Sequence, residues 1–446
     1  MKILLVALGS TARAHCIAEA VAASPSQPEL VAFMQSRNPG VLKLAKSVKI
    51  APIHDLEALK KFSREQNPDL AIISPDDAIA GGCADALLET GVQCVGPLKS
   101  LGRLESSKSF TRALAEKHKI PGSPRHKIFT SRNADEIPAY LRSLGEGFVV
   151  KPDGLTGGKG VKVSGEHMQT HADAIAYCHE ILKGGHASAI IEEKLEGEEF
   201  SIQFLTDGKT VCFTPVAQDH KRAFDGDKGP NTGGMGSYSF PDHSLPFLEK
   251  KDLADAKSIT EKVAEALRKE TGLLYKGVMY GGFMKTAHGV KLIEYNARFA
   301  DPEVMNVLPI IESDFAETCK AITAGTLHAH VPKFKPLATV CKYAVPKGYP
   351  TDPVQGQQID VSALKPPAKF YFGSVEALNA ENTLLKMGRS RAVACVGIGK
   401  TIREAERMAE RAVSSIKGPV FHRKDIATPA LLRKRVAHMK RILARK

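Results

Sequence analysis

Short apolar runs alternate with helical stretches over the first hundred residues, and this alternation restricts the folds open to the chain. Strands are predicted at residues 2–7, 30–33, 70–73 and 93–95. A helical stretch such as 79–89 lies between them, with proline and glycine at the turns. This order of elements predicts an open, largely parallel α/β sheet.

The pattern changes near residue 102. From there to about 334, helices are predicted at 104–118, 135–144 and 248–271, and strands at 148–151, 161–163, 190–192, 199–205, 211–216, 277–285 and 290–296. Further β-runs and a helix at 402–416 follow. The sequence therefore predicts a mixed α/β chain (α+β overall) with a small, β-rich C-terminal domain. The predicted domains are 1–103, 104–334 and 335–446.

The positive charge of the chain is concentrated at its C-terminus. Residues 431–446 hold seven of the Lys/Arg and no acid, so the rest carries 13 − 7 = +6. Leu432, Val436, Met439 and Leu443 fall on one helical stripe there, which predicts a terminal helix docked by its apolar face. A nucleic-acid or anionic-surface contact is the alternative. Because aromatic residues make up only 6% and tryptophan is absent, a nucleic-acid partner is not expected.

The cysteines indicate a reducing compartment. None of the eight forms a C-x-x-C pair or has histidines at zinc-ligand spacing, so buried apolar side chains are expected. No apolar run approaches the roughly 18–20 residues that span a bilayer. Residues 1–8 are too short for a signal peptide. We therefore expect a cytoplasmic protein with no membrane partner.

A glycine-rich loop follows a predicted strand in F-V-V-K-P-D-G-L-T-G-G-K-G, residues 148–160. Its glycine N–H groups and its lysines can approach phosphate oxygens without Cβ clashes. The spacing is not that of a P-loop, and no Ser/Thr follows the second lysine. A flexible hairpin tip is the alternative. The candidate phosphate ligands are Lys151, Gly157, Gly158, Lys159 and Gly160.

Two further segments are candidates for nucleotide or substrate contacts. Residues 190–199 form a strand that runs into an acidic linker, where backbone groups can meet an adenine edge and a carboxylate can accept from ribose hydroxyls. A solvated charged linker is the alternative. Residues 219–236 are polar and glycine-rich without periodicity, and loops of this length are usually functional or disordered. We interpret them as a loop that closes over the substrate.

Glu294, Asn296 and Arg298 alternate along a predicted strand, so their side chains are expected on one face. A carboxylate and an amide oxygen suit Mg²⁺, which takes few protein ligands and keeps phosphate oxygens and water. The guanidinium can neutralise a transferring phosphoryl group or an acyl phosphate. An ordinary half-exposed strand is the alternative for this segment alone. Together with the glycine-rich loop, it indicates ATP chemistry.

The turn after the first strand, Gly9-Ser10-Thr11, can offer backbone N–H groups to an anion. It is not a G-x-G-x-x-G fingerprint, so the sequence does not indicate a NAD-binding domain.

Taken in order, these segments resemble the ATP-grasp enzymes, and specifically the glycinamide ribonucleotide synthetase (phosphoribosylamine–glycine ligase) family of purine synthesis. The resemblance extends over essentially the whole chain. It is carried by K-P-D-G at 151–154 through Gly160, Q-D-H-K-R at 218–222, G-P-N-T-G-G-M-G at 229–236 and N-A-R-F-A-D-P-E at 296–303. The second and third are specific to this synthetase among ATP-grasp enzymes.

The resemblance implies an ATP-grasp fold with a glycine-rich lid at about 124–195. It also implies a role for each matching residue. ATP phosphates would meet Lys108, Lys151 and the loop around Lys159, while Glu192, Glu193, Lys194 and Leu195 would line the adenine and Glu199 the ribose. Glu294 and Asn296 would hold Mg²⁺ or Mn²⁺. Arg298 and Lys159 would be catalytic. The substrates would face Gly9, Ser10, Arg13, Asp219, His220, Lys221, Pro230, Asn231, Thr232, Gly233, Gly234, Met235, Arg298 and Asp301.

The sequence departs from the family pattern in three places, of which Ala300, where the family usually has glycine, is the mildest. The usual Gly-Gly-Arg-Glu-His-Ala run is replaced by residues 9–15, which keep Arg13 and His15 but lose a glycine and the glutamate. The stretch G-G-F-M at 281–284 offers no side-chain oxygen to a metal, so metal binding is expected to depend more heavily on the nucleotide.

The implied reaction joins glycine to 5-phosphoribosylamine through glycyl phosphate, with ATP as phosphoryl donor, and gives glycinamide ribonucleotide, ADP and phosphate. The protein is expected to be a monomer or homodimer. Two alternatives remain open. One is another ATP-grasp carboxylate–amine ligase, and the other is a non-catalytic nucleotide- or RNA-binding protein.

Overall fold

The computed structural model describes residues 1–155 and 160–445. Its N-terminal part is the predicted open sheet, in which all neighbouring strands are parallel and the order is β3-β2-β1-β4-β5. Consecutive residues of the central strands are buried, so both faces of the sheet are covered. The elements are β1 (Lys2–Ala7), α1 (Ala12–Ala22), β2 (Glu29–Met34), α2 (Pro39–Leu44), β3 (Ser47–Ile50), α3 (Leu56–Gln66), β4 (Leu70–Ile73), α4 (Asp76–Gly81), α5 (Cys83–Leu88) and β5 (Gln93–Val95).

Two predicted helices are each interrupted once. The helix predicted at 79–89 is divided into α4 and α5 by Gly82, whose φ of +88° is left-handed. The helix predicted at 104–118 is divided at Ser107, which is extended and caps the second part by accepting from the Phe110 N–H. Strand β3 was not predicted because it is an edge strand with an exposed end and no continuous apolar run.

The central part contains two antiparallel sheets. A four-stranded sheet in the order β6-β9-β7-β8 lies in the predicted lid and has its own apolar core. A second sheet, β11-β10-β16-β17, carries the predicted metal strand. The elements are α6 (Lys99–Ser106), α7 (Lys108–Lys117), β6 (His126–Phe129), α8 (Ile137–Leu144), β7 (Phe148–Pro152), β8 (Lys162–Val163), α9 (His171–Lys183), β9 (Ala189–Glu193), β10 (Gly197–Thr206), β11 (Val211–Cys212), β12 (Gln218–Asp219), β13 (Arg222–Phe224), β14 (Lys228–Asn231), β15 (Gly236–Ser239), α10 (Lys250–Thr271), β16 (Gly277–Thr286), β17 (Gly289–Asn296), α11 (Val304–Val307) and α12 (Phe315–Ala324).

The C-terminal part is rich in β-structure, as predicted. Its main sheet runs β12-β15-β18-β23-β20, so strands that precede residue 240 complete a sheet begun after residue 335. The elements are β18 (Ala338–Pro346), β19 (Gln358–Asp360), β20 (Lys369–Phe372), β21 (Val375–Ala377), β22 (Leu384–Met387), β23 (Val393–Gly399), α13 (Ile402–Ser414), β24 (Val420–Phe421) and α14 (Pro429–Ala444).

The interpretation of residues 219–236 as a loop without secondary structure is wrong. They contain the antiparallel hairpin β13–β14 and the first residue of β15. The hairpin is largely exposed and polar, so it lacks the apolar alternation that marks a half-buried strand.

The basic C-terminal helix α14 packs against β10 and β16. Its buried apolar residues are Leu431, Met439 and Ile442, whereas Leu443 is 38% exposed. The helix is docked as predicted, but the buried stripe is displaced by about one residue from the predicted one. All eight cysteines are buried and free, as expected. Among the described residues, no helix is long and apolar enough to cross a membrane.

Candidate active site

The three residues predicted on one face of the metal strand do share a face. Glu294, Asn296 and Arg298 are partly exposed, whereas the intervening Tyr295 and Ala297 are buried. In β17, Glu294 lies opposite Gly282 of β16, and Asn296 lies opposite Tyr280. The alternation of the pleated strand therefore accounts for Glu294 and Asn296, whereas Arg298 lies two residues beyond the end of β17.

Cations surround the Glu294 carboxylate. The Lys221 ammonium is 4.0 Å from Oε1. Burial tends to raise the pKa of Glu294, but the charges of Lys221, Lys151, Lys108 and Arg298 outweigh it, so this pKa lies below its ordinary value. Glu294 is thus an ionised carboxylate among cations, an arrangement suited to a metal–phosphate complex.

The donor atoms at this face fit a divalent metal that is shared with a nucleotide. Asn296 donates from Nδ2 to the Tyr295 carbonyl at 2.8 Å, which leaves its Oδ1 as the atom for a metal. Across residues 1–155 and 160–445, no group of three or more His, Cys, Asp or Glu side chains could hold a metal. A metal at Glu294 and Asn296 would therefore complete its coordination with phosphate oxygens and water.

The glycine-rich loop is anchored at both ends of its described part. The Lys108 ammonium donates to the Gly154 carbonyl at 2.8 Å, and the preceding Asp153 accepts from the Ser109 N–H at 3.2 Å. Beyond the gap, Gly160 accepts from the Tyr177 hydroxyl at 2.6 Å. These contacts place Lys108 beside the start of the loop. The predicted ligands Gly157, Gly158 and Lys159 lie outside the described residues.

Glu192 does not line an adenine with its side chain. Its carboxylate is buried in an ion-pair triad, 2.6 Å from Arg112 Nε and 2.6 Å from Lys151 Nζ. Burial opposes the charge, but Arg112 and Lys151 lower the pKa of Glu192 to about 2. Arg112 also donates to the Leu292 and Ile293 carbonyls, at 3.2 and 2.7 Å. The triad joins the lid strand β9 to the metal strand β17.

In the rest of the predicted adenine stretch, some backbone N–H groups already donate hydrogen bonds to other parts of the chain. The Glu193 N–H donates to the Arg125 carbonyl and the Lys194 N–H to the Gly147 carbonyl, both at 2.9 Å. Within the described part of the chain, the Leu195 N–H has no such partner. We therefore predict that the Leu195 N–H is the group that donates a hydrogen bond to the adenine edge.

The predicted ribose ligand Glu199 faces the same cleft as the metal strand. Its carboxylate is 3.3 Å from Lys221 Nζ. Glu199 and Lys221 line a narrow cleft together with Asp219, Tyr280 and Glu294. The structure thus brings together residues from four predicted segments.

Two predicted substrate ligands are turned away from this cleft. His220 is 1% exposed and packs against Tyr238, with ring centroids 5.6 Å apart. Met235 is fully buried, and its backbone pairs with His220 and Tyr343. Because alternate residues of a strand point to opposite sides, Asp219 and Lys221 face the cleft and His220 does not. The side chains of His220 and Met235 are therefore buried outside the cleft, and their assignment to the substrate stays a prediction.

Asp219 lies beside a second carboxylate, Glu303, which is 2% exposed. Burial and the Glu303 charge raise the pKa of Asp219 well above its ordinary value, against the opposing charges of Lys221 and Arg391. Burial likewise raises the pKa of Glu303, which accepts from the Ser201 hydroxyl at 3.2 Å. Burial and mutual repulsion therefore favour a shared proton on this pair of carboxylates.

The segment 229–236 is held to the C-terminal part by Arg391. Its guanidinium donates to the Gly233, Gly234 and Asp301 carbonyls at 2.6, 2.9 and 3.0 Å. Gly234 has a φ of +106°, and a Cβ there would lie 2.5 Å from Pro302 and 2.6 Å from Asp219, so only glycine fits.

The other residues of this segment are placed differently. Thr232 donates from its N–H and its hydroxyl to the Lys221 carbonyl, at 2.7 and 2.8 Å. Pro230 and Asn231 are exposed on β14. The Asp301 carboxylate accepts from the Tyr343 hydroxyl and pairs with Arg391 at 3.2 Å. It is therefore already engaged by protein groups.

Arg298 and Arg13 meet where the N-terminal sheet contacts the metal strand. Arg298 is 2.8 Å from the Glu105 carboxylate, which also accepts from the Ala297 N–H at 2.7 Å. Arg13 donates to the Phe299 carbonyl at 2.9 Å and to Ser74 Oγ at 3.2 Å. Burial, with the neighbouring Arg298 charge, lowers the pKa of Arg13 to about 10.

The turn Gly9-Ser10-Thr11 stands at the N-terminus of α1, as predicted for an anion site. Ser10 is exposed, and the buried Thr11 Oγ1 has no hydrogen-bond partner among the described residues. Gly9 has a φ of +82°, and a Cβ there would lie 1.9 Å from the Ser36 carbonyl. The turn requires glycine at position 9, and this glycine is retained although the second glycine of the family pattern is missing.

Arg112, Glu105 and Arg391 are central to the site and were not identified from the sequence. Each lies on a helix or a turn far along the chain from its partners, and the sequence around it does not show which charge it pairs with. Pairing of each buried charge is a tertiary property, so only an unusually apolar neighbourhood around each residue could have signalled it.

A larger cavity of about 470 Å³ is lined by Lys119, Arg125 and Tyr140 among others. It contains none of the predicted site residues. The chemistry described above is therefore placed in the narrower cleft, where the charged groups converge.

Comparisons with known proteins agree with this arrangement. Three family models match the chain: the phosphoribosylglycinamide synthetase N domain over residues 1–105, its ATP-grasp (A) domain over 106–304 and its C domain over 339–429. The ATP-grasp fold expected from the motifs is thereby confirmed.

Similar proteins cover nearly the whole chain. A phosphoribosylamine–glycine ligase of Methanocaldococcus jannaschii is 46% identical over 98% of this chain and 99% of its own length. One of Methanoregula boonei is 45% identical over 99% and 100%. The crystal structure of a phosphoribosylamine–glycine ligase from Thermotoga maritima superposes with a TM-score of 0.78, at 25% identity, over 96% of this chain and all of that chain.

Proposed function

This chain belongs to the phosphoribosylglycinamide synthetase family, and from that premise we propose that it joins glycine to 5-phosphoribosylamine at the expense of ATP. The products are glycinamide ribonucleotide, ADP and phosphate. The structural observation that best supports this proposal is the convergence of Lys108, Lys151, Lys221 and Arg298 on the Glu294 carboxylate. Such a cluster suits the transfer of a phosphoryl group between two anions.

The chemistry requires activation because a carboxylate is a poor electrophile. A glycine carboxylate oxygen bonds to the γ-phosphorus of ATP, the bond from that phosphorus to the β–γ bridging oxygen breaks, and ADP leaves. The amine of phosphoribosylamine then attacks the carbonyl carbon of glycyl phosphate. The carbon–oxygen bond breaks, phosphate leaves and the nitrogen loses one proton.

The protein contributes position and charge to these steps. We assign Lys108 and Lys151 to the ATP phosphates and Arg298 to the acyl phosphate. Lys151 uses one of its three donors on Glu192, so the others can reach an anion. Glu199 is assigned to the ribose and Leu195 to the adenine. Asp219, whose carboxylate lines the cleft, is assigned to take the proton from the attacking nitrogen.

A divalent metal at Glu294 and Asn296 would supply charge neutralisation to the ATP phosphates. The hard oxygens of these two residues favour Mg²⁺ or Mn²⁺. The cytoplasm is the compartment that we propose, since eight free buried thiols suit a reducing environment. The oligomeric state that we propose is monomer or homodimer.

An omission assay tests the proposal. ADP release is measured with purified protein and Mg²⁺ while glycine and phosphoribosylamine are left out in turn. We expect release to require glycine and to reach its full rate only with both substrates. Release that ignores glycine but responds to another carboxylate would instead indicate a different ATP-grasp ligase.

A further inference from the structure

The turn of the β13–β14 hairpin is held by charged groups from the C-terminal segment. Asp227, at the turn, is 3.1 Å from Arg423 and 2.9 Å from Arg435, and Lys434 is 3.4 Å away. The Gly226 N–H donates to the Asp425 carboxylate at 2.9 Å. The turn therefore contacts the chain both before and within helix α14.

The same helix reaches the back of the strand that carries the ribose candidate. Arg435 is 3.6 Å and His438 is 2.6 Å from the Glu198 carboxylate, which is 3% exposed. Glu198 and Glu199 are adjacent in β10, so their side chains point to opposite sides. Glu199 faces the cleft, while Glu198 forms ion pairs with Arg435 and His438 of α14. Arg435 thus joins the hairpin turn to the strand behind the cleft.

The hairpin needs such support. Its strands have three and four residues, and most of these are exposed. A two-stranded hairpin of this size is marginally stable by itself. Its base is formed by Lys221 and Thr232, and Lys221 contacts both Glu199 and Glu294 in the cleft. Movement of the turn would therefore displace a cation of the active site.

We propose that Arg423 and Arg435 are positioning residues, which lock the hairpin and so fix Lys221 and the 229–236 segment for the small substrates. This inference rests on the proposed function, because it assigns the segment to glycine and phosphoribosylamine. Arg423 is 1% exposed and pairs with two carboxylates, so its charge is fully engaged. The basic helix α14 therefore has a role within the enzyme, because its paired cations contact acidic groups of the same chain.

The test compares Arg435→Met with Lys440→Met, which removes a charge from an exposed position of the same helix. Removing one partner of a buried ion pair leaves the other uncompensated, so we expect KM for glycine or phosphoribosylamine to rise by at least about tenfold in Arg435→Met. KM for ATP should rise by a smaller factor, because the assigned phosphate ligands Lys108 and Lys151 are held by Gly154 and Glu192 and not by the hairpin. Lys440→Met should resemble the unmodified protein, and Arg435→Lys should recover part of the loss.

A second variant and a second readout keep the inference testable if Arg435→Met folds poorly. Asp227→Asn removes the partner at an exposed turn, where the left-handed φ of +62° suits asparagine, and should raise the same KM. Amide hydrogen exchange of residues 222–231 should speed up in both variants while β16 stays protected. This readout needs no catalysis, so it separates the positioning role from the proposed reaction. Unchanged exchange and unchanged KM values in both variants would overturn the inference.

Discussion

The guanidinium of Arg298 lies 2.8 Å from the carboxylate of Glu105, so the cation assigned to the acyl phosphate is oriented by a residue of helix α6 on another part of the chain. Glu105 is itself fixed by the Ala297 N–H. Glu105 is buried and Arg298 is half-buried, with side-chain exposures of 6% and 15%. Its geometry and its protonation should therefore control turnover.

Arg298→Ala should lower kcat by roughly 10²–10³, as is typical when one charge-stabilising donor is removed. Arg298→Lys should recover only part of the rate, because an ammonium lacks the planar fork. Steady-state ADP release measures both variants, and Arg132→Ala on an exposed turn of the lid serves as the control. Near-normal turnover in Arg298→Ala would count against the assignment.

Protonation of the Glu105 carboxyl should lower kcat on the acidic side of the pH profile. Burial raises the pKa of Glu105 to about 7, although Arg298 lowers it in part. The carboxylate that orients Arg298 is therefore present above about pH 7 and is neutralised below it. We expect kcat to rise with pH through about 7, and Glu105→Gln to be slower and to lack this pH dependence. A pH dependence that persists unchanged in Glu105→Gln would assign the titration to another group.

The raised pKa of Glu105 affects stability in the opposite direction to activity, because it stabilises the folded protein at low pH. The folded-state pKa of Glu105 is above its unfolded value, so the folded protein binds the proton more tightly. Its contribution to the free energy of unfolding is greatest below an unfolded pKa of about 4.3 and is lost as the pH rises through about 7. Urea unfolding between these pH values should show a decline that Glu105→Gln reduces.

Glu192→Gln should destabilise the protein by roughly 3–5 kcal/mol, because it leaves the buried charges of Arg112 and Lys151 without a carboxylate. Glu193→Gln is the matched control, since the neighbouring Glu193–Arg125 pair is largely exposed at the arginine and such pairs contribute about 0–1 kcal/mol. Urea unfolding measures the difference. Equal effects of the two substitutions would show that the triad does not join the lid to the metal strand.

The acid dependence of this triad has a definite direction. The folded-state pKa of Glu192 is lowered to about 2, so its stabilisation is present above the unfolded pKa of about 4.3 and is lost as the pH falls toward about 2. The unmodified protein should therefore lose stability over this range, and Glu192→Gln should lose less.

The sequence predicted local features well because strand alternation and turn chemistry are local. The shared face of Glu294 and Asn296 follows from a period of two along β17, and Arg298 follows two residues beyond the end of the strand. The β13–β14 hairpin was missed because its polar, exposed residues carry no apolar alternation, and contacts from α14 hold it. The ion pair of Glu192 could not be predicted because its partner Arg112 lies 80 residues away. The burial of the His220 side chain could not be predicted either, since a motif shows which residues cluster but not the side to which each one points.

The most direct test of phosphoryl transfer to glycine is an isotope experiment. Glycine labelled with ¹⁸O at both carboxylate positions is converted with ATP and phosphoribosylamine, and the phosphate released is analysed by mass spectrometry. If glycyl phosphate forms, the oxygen that attacks the γ-phosphorus leaves with the phosphate, so each phosphate should contain one ¹⁸O. Release of unlabelled phosphate at the rate of ADP formation would contradict the account.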